Sequence, residues 1–259
     1  MSADLSRLKA SARRLRDLHR PGDPLLLVNA WDAETARRAE AAGSKAVATS
    51  SAAIAGASGR TDDNSAGRAA FDALATISAA VSVPVTADLE GGYGLTGAEL
   101  VDALLGAGAV GCNLEDTDHA RGDQLLGAEH HARYLAEVRA AADGRGVPVV
   151  VNARIDTIIR SKERDAAVVF DETVRRAKLY LEAGADCVYP IGLRDPDIAR
   201  RIVDAVGGWV NVNPSAPLSA LADAGVARVS FGAGPFFWLM GDFQRRAGNA
   251  LGGDAAAFG

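Results

Sequence analysis

Cysteine is almost absent. The only two, Cys112 and Cys187, lie in separate apolar segments, which excludes a disulfide scaffold or a clustered-thiol zinc site and leaves both as buried thiols. Aromatic residues are sparse too, at 5% against a hydrophobic fraction of 48%. The core must therefore be filled by Ala, Val, Leu and Ile, the residues of layered α/β interiors rather than of sandwiches. No apolar run reaches the roughly 18 residues of a membrane span, and the segment from Met1 to His19 lacks the apolar centre of a signal peptide. A cytoplasmic protein is expected. Positive charge is not in excess: 28 Lys and Arg stand against 33 Asp and Glu, for a net charge of −5. The cations are scattered among the acids, which disfavours nucleic acid and anionic membrane as partners.

What is present is alternation. The 259 residues show no change of composition that would mark a linker, so one domain is the simplest reading. Residues 1–22 place Leu5, Leu8, Ala12, Leu15 and Leu18 on one helical stripe and are expected to cap a barrel floor. Eight short apolar runs follow, at Leu25–Asn29, Lys45–Ser50, Pro84–Asp88, Ala109–Leu114, Val147–Ala153, Ala185–Pro190, Trp209–Val212 and Ala227–Phe231, each followed by an Ala- and Leu-rich helical stretch. Four are announced by Ala-Gly, a helix stop followed by a strand. Two open on Val-Pro, where proline can begin a strand. Eight βα units across residues 23–250 predict a closed (β/α)8 TIM-type barrel, with an open doubly wound sheet as the alternative. The Gly- and Ala-rich residues 251–259 read as a flexible tail.

In such a barrel the chemistry lies at the C-terminal strand ends. There the chain carries Asn29-Ala30-Trp31-Asp32, Thr49-Ser50-Ser51-Ala52, Asp88-Leu89-Glu90-Gly91-Gly92-Tyr93-Gly94, Asn113-Leu114-Glu115-Asp116, Asn152-Ala153-Arg154-Ile155-Asp156 and Asn211-Val212-Asn213-Pro214. Asp88, Glu90 and Glu115 come from adjacent strands. Acids gathered so closely call for a cation, and Mg²⁺ (or Mn²⁺) prefers oxygen ligands while keeping several waters. The plainer alternative is that one or more of them pairs with Arg or caps a helix. Arg154 is placed to hold a substrate carboxylate through two parallel hydrogen bonds, or else to pair with Glu90 or Asp116. Ser50, Ser51 and Ala52 form a small-residue turn whose N–H groups can meet an anion. Two long segments read as lids: Ala53–Arg68, with the acidic pair Asp62-Asp63, and Thr117–Gly127, with His119, Arg121 and Asp123. Gly232-Ala233-Gly234, before the last helix, is a weak phosphate-site motif.

Taken in order, these strand-end motifs resemble the isocitrate lyase/phosphoenolpyruvate mutase superfamily over about residues 25 to 235. The resemblance implies a barrel that binds Mg²⁺ beside a 2-oxo acid. Asp88 is then the direct metal ligand, and Glu90 and Glu115 hold metal-bound waters. Arg154 is the carboxylate clamp, and Ser50, Ser51 and Ala52 receive substrate oxygens. Trp31, Asp32 and Asn211 are further substrate-side candidates. Asp62, Glu115 and His119 join Arg154 as candidate catalytic groups, Asp62 falling where the family has an acid after its second strand. A homo-oligomer, dimer or tetramer, is also implied.

The lid departs from the family. Its lyases carry Lys-Lys/Arg-Cys-Gly-His and its phosphonopyruvate mutases Lys-x-Asn-Ser, whereas this chain has Asp116-Thr117-Asp118-His119-Ala120-Arg121-Gly122-Asp123. Where methylisocitrate-type lyases place Glu after the sixth strand, Tyr189-Pro190-Ile191-Gly192 stands here. The expectation is a divergent Mg²⁺-dependent lyase or hydrolase that cleaves a C–C bond in a small 2-oxo or 2-hydroxy carboxylate through an enolate-like intermediate. The alternatives are an enzyme acting on a P–C bond and a non-catalytic barrel that binds oxo acids.

Overall fold

The computed structural model describes residues 2–62, 67–163 and 165–259, so Asp63 and part of the first expected lid lie outside the described residues. Helix α1 (Ser2–Asp17) leads into β1 (Leu25–Leu27), β2 (Asn29–Ala30) and α2 (Ala33–Ala41). Then come β3 (Val47–Thr49), α3 (Ser51–Ala57), α4 (Gly67–Ala79), β4 (Val85–Asp88), α5 (Gly97–Gly106) and β5 (Gly111–Glu115). A hairpin of β6 (Thr117–Asp118) and β7 (Gln124–Leu125) encloses a 3-10 turn at His119–Arg121. It is followed by α6 (Ala128–Arg145), β8 (Val150–Ile155), α7 (Thr157–Arg160) and α8 (Ala166–Glu182). The last elements are β9 (Cys187–Pro190), α9 (Pro196–Val206), β10 (Trp209–Val212), α10 (Leu218–Asp223), β11 (Arg228–Ser230) and α11 (Gly234–Leu251).

The main sheet runs β1-β11-β10-β9-β8-β5-β4-β3-β2, with every neighbouring pair parallel. Its two ends, β1 and β2, are parts of one stretch interrupted only at Val28. β1 pairs with β11 and β2 with β3, so the ring closes through that stretch as an eight-unit α/β barrel. Leu25–Asn29 was expected to be one uninterrupted strand. It breaks because each half serves a different neighbour.

The glycines of the four Ala-Gly pairs all have positive φ, at Gly43, Gly108, Gly184 and Gly225, as helix stops require. The fifth run is displaced from its expected span. It begins at Val150, after Pro148, and continues to Ile155, so Arg154 sits within the strand and is positioned by sheet hydrogen bonds.

On the floor, Leu8, Ala12 and Leu15 of α1 are buried. A Cβ at Gly111 would lie 2.7 Å from Leu15 Cδ2 and 3.1 Å from the Val150 carbonyl, so the missing side chain is what admits Leu15. At the other end of the chain α11 leaves Phe237, Trp238 and Phe243 exposed. Residues 251–259, read as a flexible tail, end α11 at Leu251 and then carry contacts back to it: Arg246 Nη1 donates to the Ala257 carbonyl at 2.8 Å, and Phe258 lies against Phe243. Among the described residues no helix is long and apolar enough to cross a membrane.

Candidate active site

The site begins where β4 ends. The Asp88 N–H donates to Thr49 Oγ1 at 2.9 Å, and Asp88 Oδ2 accepts from the Ser51 N–H at 3.2 Å and from Ser51 Oγ at 2.9 Å. This orients the carboxylate and also redirects Ser51, whose N–H was expected to face substrate. Ser50 caps α3, accepting from the Ala53 N–H at 3.4 Å, and Ala52 lies in the first turn of that helix. A cavity beside Asp88 is lined by Thr49, Ser51, Ile54, Leu74, Glu90 and Tyr93.

Beyond Asp88 the chain makes an unusual turn. Glu90, Gly92, Tyr93 and Gly94 all have positive φ, at 49°, 88°, 55° and 72°. Non-glycine residues in this region store strain of order 1–3 kcal/mol each, and such strain gathers at functional sites. The turn brings the buried Glu90 side chain against Tyr93, whose phenol is pushed up first by burial and then by the charges of Glu90, Asp88 and Asp62. The Glu90 carbonyl accepts from the Glu115 N–H at 3.0 Å, which fixes the two acids as neighbours.

Glu115 is buried and held on two sides. One carboxylate oxygen meets His119 Nε2 and the other meets Arg154 Nη1. His119 Nδ1 meets Asp123 Oδ1 at 2.8 Å, and Asp123 in turn meets Arg160 at 3.0 Å. Both imidazole nitrogens thus face carboxylates, and the Glu115 hydrogen bond leads the effects that raise the pKa of His119 to about 9. Burial raises that of Glu115, against the pull of His119 and Arg154. Asp62 keeps an exposed face, yet its pKa is also raised, by desolvation and then by the charge of Asp88. Arg154 does not pair with Glu90 or Asp116, the partners considered from sequence. It forms a fork with Asp156, from Nε at 2.7 Å and Nη2 at 2.9 Å, in addition to its contact with Glu115.

The structure therefore brings Ser51, Asp62, Asp88, Glu90, Glu115, His119 and Arg154 to one end of the barrel. The Asp32 carboxylate is taken up as the N-cap of α2, where it accepts from the Thr35 N–H at 2.7 Å. Trp31 packs edge-on against Phe236 of α11. Asn211 is wholly buried and bonded to Ser230 at 3.1 Å. Sequence reasoning gave no role to Asp156, Arg160 or Tyr93, and named Asp123 only as part of the second lid. Asp156 and Tyr93 stand inside the motifs and Asp123 inside the lid, but that Asp156 would turn to Arg154, and Asp123 to His119 and Arg160, is set by the folded geometry.

Among the described residues, no group of three or more His, Cys, Asp or Glu side chains could hold a metal ion by protein atoms alone. Both oxygens of Glu115 face protein cations. Only Oδ2 of Asp88 carries a hydrogen bond among the described residues. That donor set fits a hydrated Mg²⁺ held by one direct carboxylate, because Mg²⁺ keeps much of its water, and does not fit a fully protein-ligated ion such as Ca²⁺.

Residues 15–251 match the phosphoenolpyruvate phosphomutase family. The crystal structure of a Burkholderia cenocepacia J2315 protein, provisionally described as a phosphonomutase, superposes with a TM-score of 0.88 at 37% identity, covering 94% of this chain and 99% of that one. The 2-methylisocitrate lyase of Escherichia coli (strain K12) is 28% identical over 213 residues, which cover 73% of this chain and 68% of the lyase. The structure of a phosphonopyruvate hydrolase complexed with oxalate and Mg²⁺ superposes with a TM-score of 0.79 at 25% identity, covering 95% of this chain and 90% of that one.

Proposed function

We propose, from the fact that this chain belongs to the phosphoenolpyruvate mutase/isocitrate lyase superfamily, that it is a Mg²⁺-dependent lyase or hydrolase. In this reading it cleaves a C–C bond in a small 2-oxo or 2-hydroxy carboxylate and passes through an enolate-like intermediate. The observation that carries the reading is the gathering of Asp88, Glu90 and Glu115 at the C-terminal end of the barrel, with the Arg154 guanidinium on Glu115 and its charge felt at Asp88. Asp88 would hold the ion directly, with Glu90 and Glu115 acting through its waters. The ion would polarise the 2-oxo group and offset the charge that develops as the bond to C3 breaks.

The protein's own groups divide the remaining work. Of the five N–H groups of Arg154, Asp156 and Glu115 engage three, which leaves two for a substrate carboxylate. Asp156 keeps that fork oriented before substrate arrives, and so lowers the cost of binding. Asp62, with its pKa displaced upward, is disposed to take or give a proton, and His119 is the second candidate. At the strand end where the tricarboxylate lyases carry Glu, Tyr189 donates to Asn213 Oδ1 at 2.8 Å. This neutral wall supports a small substrate. The similarity to a phosphonopyruvate hydrolase favours a second reading, cleavage of a P–C bond, which release of inorganic phosphate would reveal. The two cysteines are free and buried, in keeping with a cytoplasmic location. The exposed aromatic residues of α11 support a homo-oligomer.

The test is thermal unfolding with Mg²⁺, with oxalate and with both, for the wild type and for Asp88→Ala. An upward shift that needs both ligands and disappears in the variant is expected. Oxalate mimics the pyruvate enolate, so the absence of any shift in the wild type would sink the metal–enolate reading. A shift without turnover of any oxo acid would leave the non-catalytic alternative.

A further inference from the structure

Arg228 heads the fully buried side chains by size among the described residues. It lies on β11 between Leu25 of β1 and Asn211 of β10, and its Nη2 donates across the barrel interior to Asn113 Oδ1 at 3.0 Å. Asn113 takes a second bond there, from Asn152 Nδ2 at 2.8 Å, and is in register with Asp88 on β4. Among the described residues, Nε and Nη1 of Arg228 have no hydrogen-bond partner, and no carboxylate lies within ion-pair distance. Its charge is felt by Cys187, Tyr189, Asp88 and Cys112, and on the floor side by His19. Tyr189 is the register partner of Arg154.

A guanidinium cannot shed its proton at any ordinary pH. Burying it without a paired acid is costly, and Met or Leu would fill the same volume without that cost. Packing therefore gives no reason for the charge. The site does, because Asp88, Glu90, Glu115 and Asp62 crowd the C-terminal end of the barrel, and a positive charge in the interior beneath them, weakly screened by the surrounding protein, makes the pocket acceptable to an anion.

We propose that Arg228 is a positioning residue for the anionic substrate: hydrogen-bonded to the strand neighbour of Asp88, it supplies the buried positive charge that lets an acid-rich pocket accept a carboxylate. The inference rests on the function proposed above. It carries a sign that a structural role does not: removing the charge weakens anion binding and leaves cation binding no weaker.

The experiment is calorimetric titration of the wild type, Arg228→Met and Arg228→Lys, first with Mg²⁺ alone and then with oxalate at saturating Mg²⁺. For Arg228→Met we expect oxalate to bind about tenfold more weakly or worse, with Mg²⁺ bound at least as tightly as in the wild type. Arg228→Lys keeps the charge and should stay within about threefold of the wild type for both ligands. If the wild type binds no oxalate, the functional reading fails and takes this inference with it. If the wild type binds oxalate and Arg228→Met binds it equally well, this inference alone is overturned. Equal weakening of both ligands in both variants would mark a merely structural arginine and also overturn it. Should Arg228→Met fail to fold, Arg228→Lys decides: near-wild-type oxalate affinity supports the inference and its loss overturns it.

Discussion

Glu115 and Asp116 are adjacent in sequence and opposite in use. Glu115 points into the site, against His119 and Arg154. Asp116 points away: Oδ2 accepts from Arg176 at 2.9 Å and from Tyr180 at 2.7 Å, and Oδ1 accepts from the Asp156 N–H at 2.9 Å. Alternation along the strand end separates the two acids, but only their partners on α8 and β8 reveal which one braces the barrel. The residue types of the site were therefore legible in sequence, and their pairings were not. The fork from Arg154 near the end of β8 to Asp156, the residue just past that strand, escaped for the same reason. Asp116→Ala leaves the Arg176 guanidinium buried with only Glu172 as its acid partner, and a loss of about 3 kcal/mol is expected in urea unfolding. A loss below about 1 kcal/mol would show that Glu172 is partner enough.

At the scale of the element, the turn after β4 was legible as a turn through Gly91, Gly92 and Gly94. Its left-handed Glu90 and Tyr93 were not, because propensity argues against non-glycine residues there. The tertiary reason lies in α6. A Cβ at Gly92, which has φ +88°, would stand 2.2 Å from the Tyr134 hydroxyl, so helix and turn are fitted too closely for any side chain. Gly92→Ala is expected to cost about 2 kcal/mol in denaturant unfolding and to weaken the Mg²⁺-oxalate response, since Glu90 and Tyr93 ride on the same turn. Unchanged stability would mean that Tyr134 moves aside freely. The segment read as a second lid proves to be the small β6–β7 hairpin, tied to the site through His119 and outward through Asp123 to Arg160. Its residues were visible in sequence. The tie was not, because it depends on how the hairpin folds back over β5.

At the scale of the whole molecule, eight βα units were readable because helix stops and apolar runs recur in step. Closure followed from that count, but the seam did not, because nothing local shows that Val28 divides one run between two neighbours. The surface adds a separate expectation. Phe237, Trp238 and Phe243 on α11 are more than half exposed, and apolar area of this kind marks a contact surface. Sedimentation should find the wild type as a dimer or larger, and Trp238→Ser combined with Phe243→Ser should dissociate it; a monomeric wild type would refute that assignment. The seam itself bears on how the chain folds. Leu25 waits for Arg228, so during synthesis an early strand keeps one edge unpaired until almost all the barrel has emerged, a state prone to pairing with the wrong neighbour. The strand that finally seals that edge is also the one that carries the buried cation inside. Ring closure and dehydration of a charge therefore coincide, and the closing contact is slow on two counts: the length of the loop it must close and the water it must remove.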